Sequence, residues 1–201
     1  MGIAERKIRQ KEEFRASILS AAWVQVLTDG WQSLSIRKIA DAIEYSIPVI
    51  YNHFENKEAI LLEFTKEGFQ KLADTLEQAK NKHADPAGQL EAMAYAYWDF
   101  AFDNKEFYQL MFGLGIPACD RVNQVIEMKV MSMVMISTIK EAIAQSKNKD
   151  ADYFLKYHTY FSILHGLVSI QMIEKAGKPS AEKKIILQDA ISGFITALVA
   201  I

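Results

Sequence analysis

The stretch Leu34–Glu58, LSIRKIADAIEYSIPVIYNHFENKE, decides how this 201-residue chain is read. In its first half Ile36, Ile39, Ala40 and Ile43 fall at i, i+3, i+4 and i+7. In its second half Ile47, Ile50, Tyr51 and Phe54 repeat that spacing. Such a period lays one apolar stripe along each of two short helices. Glu44-Tyr45-Ser46 between them leaves room only for a tight corner. Two helices joined in this way form a helix-turn-helix, whose second helix can lie in a DNA major groove.

The same stretch carries a fixed-register pattern. Ser35-Ile36-Arg37-Lys38-Ile39-Ala40, then Ser46, then Ile50-Tyr51-Asn52-His53-Phe54 and Asn56-Lys57-Glu58, resemble the Tet repressor (TetR) family of bacterial regulators. In those proteins the region looks like S-I-x-x-I-A … S-x-x-x-L-Y-x-H-F-x-x-K-E. The chain departs from that pattern where Glu44 replaces a usual Gly and Ile47-Pro48 replaces a frequent Lys-Gly. Pro48 suits the first turn of a helix, where its missing N–H has no intrahelical partner, and it biases Ile47 toward the cap.

Periodicity alone puts Ile47 in the core, whereas the family register turns it toward DNA; we follow the register and keep Ile50 and Phe54 as core. The resemblance then implies a groove-facing set of Ser46, Ile47, Pro48, Val49 and Asn52, with Tyr51, His53 and Lys57 toward phosphates. Ser35, as cap of the preceding helix, offers its hydroxyl and freed N–H groups to a phosphate, and Arg37 can reach the same strand. No arginine is left to read guanine. Asn52 can pair with adenine, and Ile47, Pro48 or Val49 can sit against thymine methyls, so the contacted half-site is expected to be rich in A·T.

Upstream, residues 3–28 read as one long helix with Leu19, Ala22 and Val26 as its stripe, flanked by Ile18, Trp23 and Leu27, and Asp29-Gly30 as its stop. Its charged first dozen residues are expected to fray; Arg6, Lys7, Arg9 and Lys11 there are either available to phosphates or simply a solvated tail. Downstream, a fourth helix opens at Glu55 or Asn56, turns Ile60, Phe64, Leu72 and Leu76 inward, and ends at Asn81–Pro86. Gly68 is a bend point or a plain surface glycine. Further helices are expected over 86–102, 104–112, 120–146, 150–175 and from Ser180 or Ala181 to the end.

The fold class is therefore all-α. With the family resemblance, a three-helix head over 1–58 is expected to bind DNA, and a body of five to six helices over 59–201 to bind effector and dimerise. Four prolines, nine glycines and 50% hydrophobic residues agree with one helical core or two. The net charge of -2 excludes a basic protein that coats nucleic acid. Residues 1–57 hold eight Lys and Arg against seven Asp and Glu, the remainder fifteen against eighteen, which leaves the head slightly basic. Cys119 is the sole cysteine, so no intrachain disulfide forms. The absence of an apolar run of about 18 residues argues against a membrane span, and a cytoplasmic location is expected.

No catalytic constellation is legible, and the chain is read as a non-enzyme with no cofactor. Gly113-Leu114-Gly115 lacks both a preceding strand and the third glycine of a dinucleotide fingerprint. His158 and His165 share a helix face about 10 Å apart, too far for one metal. Phe107–Gly113 and Leu164-His165-Gly166-Leu167 resemble the family branch named for a Trp-His-Gly motif, with Leu164 in the place of Trp. The family resemblance implies a body pocket for a small, largely apolar effector. Trp98, Phe102, Phe112, Met128, Met131, Tyr160 and His165 are its candidates, each also readable as core. The last two helices hold more apolar surface than one small body can hide, and relatives dimerise through them.

The reading is a homodimeric regulator, a repressor that an effector releases from a pseudo-palindromic operator. The alternatives are a helical ligand-binding or enzymatic body with a vestigial head, and a pure helix-helix interaction module.

Overall fold

The computed structural model describes residues 2–113, 125–147, 149–173 and 181–199. Cys119, Leu114-Gly115 and Ser180 lie outside them. Nine α-helices follow in order among the described residues: α1 Ile3–Asp29, α2 Ile36–Ala42, α3 Ile47–Tyr51, α4 Lys57–Lys80, α5 Pro86–Asp103, α6 Lys105–Phe112, α7 Ile126–Gln145, α8 Tyr153–Ile173 and α9 Ala181–Val199. A single 3-10 turn, Trp31–Ser33, joins α1 to α2. No strand occurs among these residues.

The contacts divide the chain into two units. One is Met1–Thr65 with Glu106–Val122, the other Lys66–Lys105 with Asn123–Ile201. The division falls inside α4, and α6 from Glu106 onward belongs with the N-terminal unit.

In the first unit α1 is helical from Ile3, where Gly2 N–H donates to Glu5 Oε2 at 2.9 Å. The expected fraying is not seen, although residues 2–13 are all exposed. The buried stripe of α1 is Ile18, Ala22 and Val26. Leu19 and Trp23 are half-buried and Leu27 is 58% exposed, so Ala22 and Val26 are buried as expected and Ile18 takes the place expected of Leu19. Gly30 stops the helix with φ +78°, a conformation that costs glycine little. Trp31 is buried in the turn that follows. Its ring lies 5.9 Å from Trp23 and 5.5 Å from Phe64, and its Nε1 donates to Glu106 O at 2.8 Å. Phe107 completes the cluster, stacked 4.4 Å from Trp23.

The second unit is built on α5, α7, α8 and α9, which pack mutually. Asp85 caps α5 by accepting from Gly88 N at 2.8 Å, and Pro86 fills the first turn. Leu72 and Leu76 of α4 are buried, as is Gly68, which is therefore no surface glycine. Met131 and Met135 are fully buried, Met128 half-buried and Met133 58% exposed. Tyr160 is fully buried, and its hydroxyl donates to Leu90 O at 2.6 Å. Burial lifts its phenol far above the usual tyrosine range, so it stays a donor at any working pH. Tyr160→Phe keeps the shape and removes the bond. It is expected to cost about 1 kcal/mol and lower Tm by about 2–4 °C, read by thermal melting; an unchanged Tm would remove this bond from the account.

Candidate nucleic-acid interface

The helix-turn-helix is set by a costly corner. Glu44 has φ +59°, the only non-glycine residue with positive φ among those described. A side chain there strains the backbone by about 1–2 kcal/mol, which is the physical reason for the glycine that the family pattern leads one to expect at this point. Tyr45 N–H bonds back to Ala40 O at 3.0 Å and closes the corner.

Helix α3 begins at Ile47 with Ser46 as its cap residue and Pro48 in the first turn. Ile47 is thus the first helical residue and not the cap toward which Pro48 was expected to bias it. The helix is only five residues long, so Asn52 and His53 lie in the turn after it. Ile50 is fully buried and Phe54 is 2% exposed, as expected of core residues. Ile47 is 38% exposed, so the family register describes it better than periodicity alone. At about 100° per residue, fixing Ile50 inward puts Pro48 and Asn52 on the opposite side and Val49 and Tyr51 on the flanks. Ser46, Pro48 and Asn52 are exposed, Tyr51 is 51% exposed, and Val49 is half-buried.

The residues expected at phosphates are more mixed. Arg37 is exposed, and Lys57 is half-buried at the start of α4, where Asn56 Oδ1 accepts from Ala59 N at 2.9 Å. Ser35 occupies the cap of α2, but its hydroxyl makes no capping bond. Its N–H instead donates to Gln25 Oε1 at 3.2 Å, and Gln25 Nε2 donates to Ser33 O at 3.0 Å. His53 is half-buried, with its ring 4.8 Å from Phe14 and its Nδ1 out of contact with solvent. Burial first, then the charges of Lys11 and Arg15, hold its pKa below the ordinary 6.5.

Sequence reasoning missed the residues of α1 that brace this arrangement. Phe14 packs edge-on to Tyr45 at 4.6 Å. Arg15 donates to His53 O at 2.9 Å. Single polar or aromatic residues on a long helix carry no periodic signal, and only the register of the Ile18 stripe places them on this side.

The effector candidates do not form one group. Phe112 falls in the N-terminal unit, against Tyr108 at 4.7 Å; the other six fall in the second unit. Trp98 and Phe102 touch at 5.1 Å. Tyr160 packs on Phe194 at 5.3 Å, and His165 stacks on Phe161 at 5.6 Å. Burial holds His165 below the ordinary histidine pKa. An open groove of about 460 Å³ in the second unit is lined by Lys140, Ile143, Ala144, Lys149, Ala151 and Tyr153, none of them in the candidate set. No group of three metal-ligating side chains exists among the described residues, nor any helix long and apolar enough to cross a membrane.

An all-helical chain with a short exposed helix held behind a tight corner is a helix-turn-helix protein. Comparison with known proteins then gives the family. Residues 18–64 match the model for bacterial regulatory proteins of the tetR family, and residues 90–191 match the tetracyclin repressor-like C-terminal domain. The chain belongs to the TetR family of transcriptional regulators, which are not enzymes, and its head is a DNA-binding head. The HTH-type transcriptional activator FasR of Mycolicibacterium smegmatis is 25% identical over 187 residues, spanning 92% of this chain and 81% of that protein. Among solved structures, a protein of unknown function from Rhodococcus sp. RHA1 has a TM-score of 0.74 at 24% identity, covering 92% of this chain and 94% of that one. FadR of Bacillus subtilis in complex with stearoyl-CoA has 0.67 at 18%, covering 92% and 97%. These two likenesses show the fold.

The division of labour on α3 is open to measurement. Ile50→Ala is expected to cost about 2–5 kcal/mol and Ile47→Ala less than about 0.5 kcal/mol in denaturant unfolding. Equal costs would return Ile47 to the core.

Proposed function

We propose that the protein is a homodimeric repressor, released from a pseudo-palindromic operator by a small, largely apolar effector. The observation that carries the reading is the exposure of Ser46, Ile47, Pro48 and Asn52, with Val49 half-buried on the flank, on a helix anchored by Ile50. Ser35, Arg37, Tyr51, His53 and Lys57 are assigned to the phosphates. One amide and several apolar side chains, with no arginine, suit adenine and thymine edges.

Two further features support the assembly. Members of the family act as dimers. Helix α8 exposes Tyr153, Phe154, Leu155 and Ile170, and α9 exposes Ile185, Ile186 and Val199. Exposed apolar side chains on these two helices suit a symmetric helical interface, which would set two heads about 34–36 Å apart or a multiple of it. We assign residues 1–58 to DNA and 59–201 to effector and partner, and place the protein in the cytoplasm with the chromosome. The effector is assigned to the body near Trp98, Phe102, Met128, Met131, Tyr160 and His165, and Phe112, which falls in the other unit, is left out of it. The stearoyl-CoA bound by the Bacillus FadR supports an effector with a large apolar part.

In this mechanism effector binding favours a dimer state whose heads are wrongly spaced for adjacent grooves. Helix α4, whose residues belong to both units, is the lever. Operator and effector must then weaken each other by the same factor. Activation is a second reading, favoured by the name of the mycobacterial relative; a promoter-reporter assay separates the two by sign.

Selection from random duplex DNA tests the proposal. The expected product is a pseudo-palindrome with A·T-rich contacted half-sites, lost in Tyr51→Ala and Lys57→Ala. A strict G·C core would sink the base-reading scheme, and no enrichment at low salt would sink the function.

A further inference from the structure

Within the head, one side chain ties together three parts of the recognition element. Arg15 leaves α1 one turn before its buried stripe. Its Nη1 donates to the carbonyl of His53 at 2.9 Å, in the turn that ends α3. Its Nη2 lies 3.2 Å from Glu63 Oε1 on α4. Its guanidinium carbon sits 4.0 Å over the ring of Phe54, the aromatic anchor that follows α3. A planar, forked cation can make these three contacts together, whereas a point charge cannot. The preceding residue works on the other end of the element. Phe14 packs on Tyr45, in the corner before α3, and on His53 after it.

The energetic value of the ion pair itself is small. The side chains of Arg15 and Glu63 are 36% and 30% exposed, and pairs so placed contribute little to stability. What the arrangement supplies is direction. A helix of five residues has too few internal bonds to hold its own orientation. The carbonyls of Val49 and Ile50 accept from the N–H groups of Asn52, His53 and Phe54, and Arg15 adds a charged donor to this turn at the His53 carbonyl, just beyond the helix end.

We propose that Arg15 is a positioning residue for DNA readout. By bridging the His53 carbonyl, Phe54 and Glu63 it fixes the roll and depth of α3, and so which of Pro48, Val49 and Asn52 reach base edges, without serving as a phosphate ligand. The inference rests on the reading of α3 as the groove-facing helix.

The test compares binding of the full-length protein to the selected operator and to random duplex. Arg15→Lys keeps the charge and loses the fork. It is expected to weaken operator binding about tenfold or more, the scale of one lost base contact, and to change random-duplex binding less than about twofold. Glu63→Gln decides by sign. A positioning arginine that loses its carboxylate predicts weaker operator binding, by a few-fold. A phosphate-binding arginine predicts tighter binding, because a competing anion has been removed. If Arg15→Lys does not fold, Glu63→Gln carries the decision alone, since its pair is partly exposed.

The proposal is overturned if Arg15→Lys binds the operator within about twofold of the parent, if both duplexes lose affinity equally, or if Glu63→Gln binds more tightly. A parent protein without operator preference would overturn the proposed function instead.

Discussion

The burial of Ile50 and Phe54 is the constraint on which the head depends. Five residues do not make a stable helix in water, so α3 exists because these two side chains are removed from solvent. Once Ile50 points inward, the helical period leaves no freedom for the rest: Pro48 and Asn52 face outward, with Val49 and Tyr51 on the flanks. The corner at Glu44 is the cost of that placement. A left-handed residue with a side chain is tolerated there because the buried anchors and the bond from Tyr45 to Ala40 over-determine it.

Most of this was legible in the sequence, and the reasons are physical. Two apolar stripes at helical spacing specify two short helices, and Ile39, Ala40, Ile50 and Phe54 are buried where the spacing put them. Periodicity cannot judge the first residue of a helix next to a proline, and at Ile47 the family register was the better guide. The long helices were readable to within a few residues because Asp29-Gly30, Asp85-Pro86 and the polar run after Lys80 are strong stop and start signals.

The parts that were not legible depend on contacts distant in sequence. Trp31 reads as a loop residue, yet it is buried against Trp23 and Phe64 and donates to the carbonyl of Glu106, 75 positions away on α6. Only the cost of leaving a tryptophan in water hints at this beforehand. The bracing by Phe14, Arg15 and Gln25 is equally silent, because it rests on single side chains. In the body, composition told apolar from polar but could not tell lining from filling. Met131 and Tyr160 are fully buried, which is compatible with core, while Phe102, Phe112, Met128 and His165 are only half-buried. Methionine tolerates repacking better than most side chains, which suits the effector role proposed for Met128 and Met131.

The account turns on base reading by the exposed face of α3. The most direct measurement is the base-preference profile of Asn52→Ala set beside that of the parent across a randomised half-site. The account predicts that preference relaxes at one or two A·T positions, symmetrically in both half-sites, and is unchanged elsewhere. A profile that stays the same, or that flattens evenly along the whole site, would contradict it.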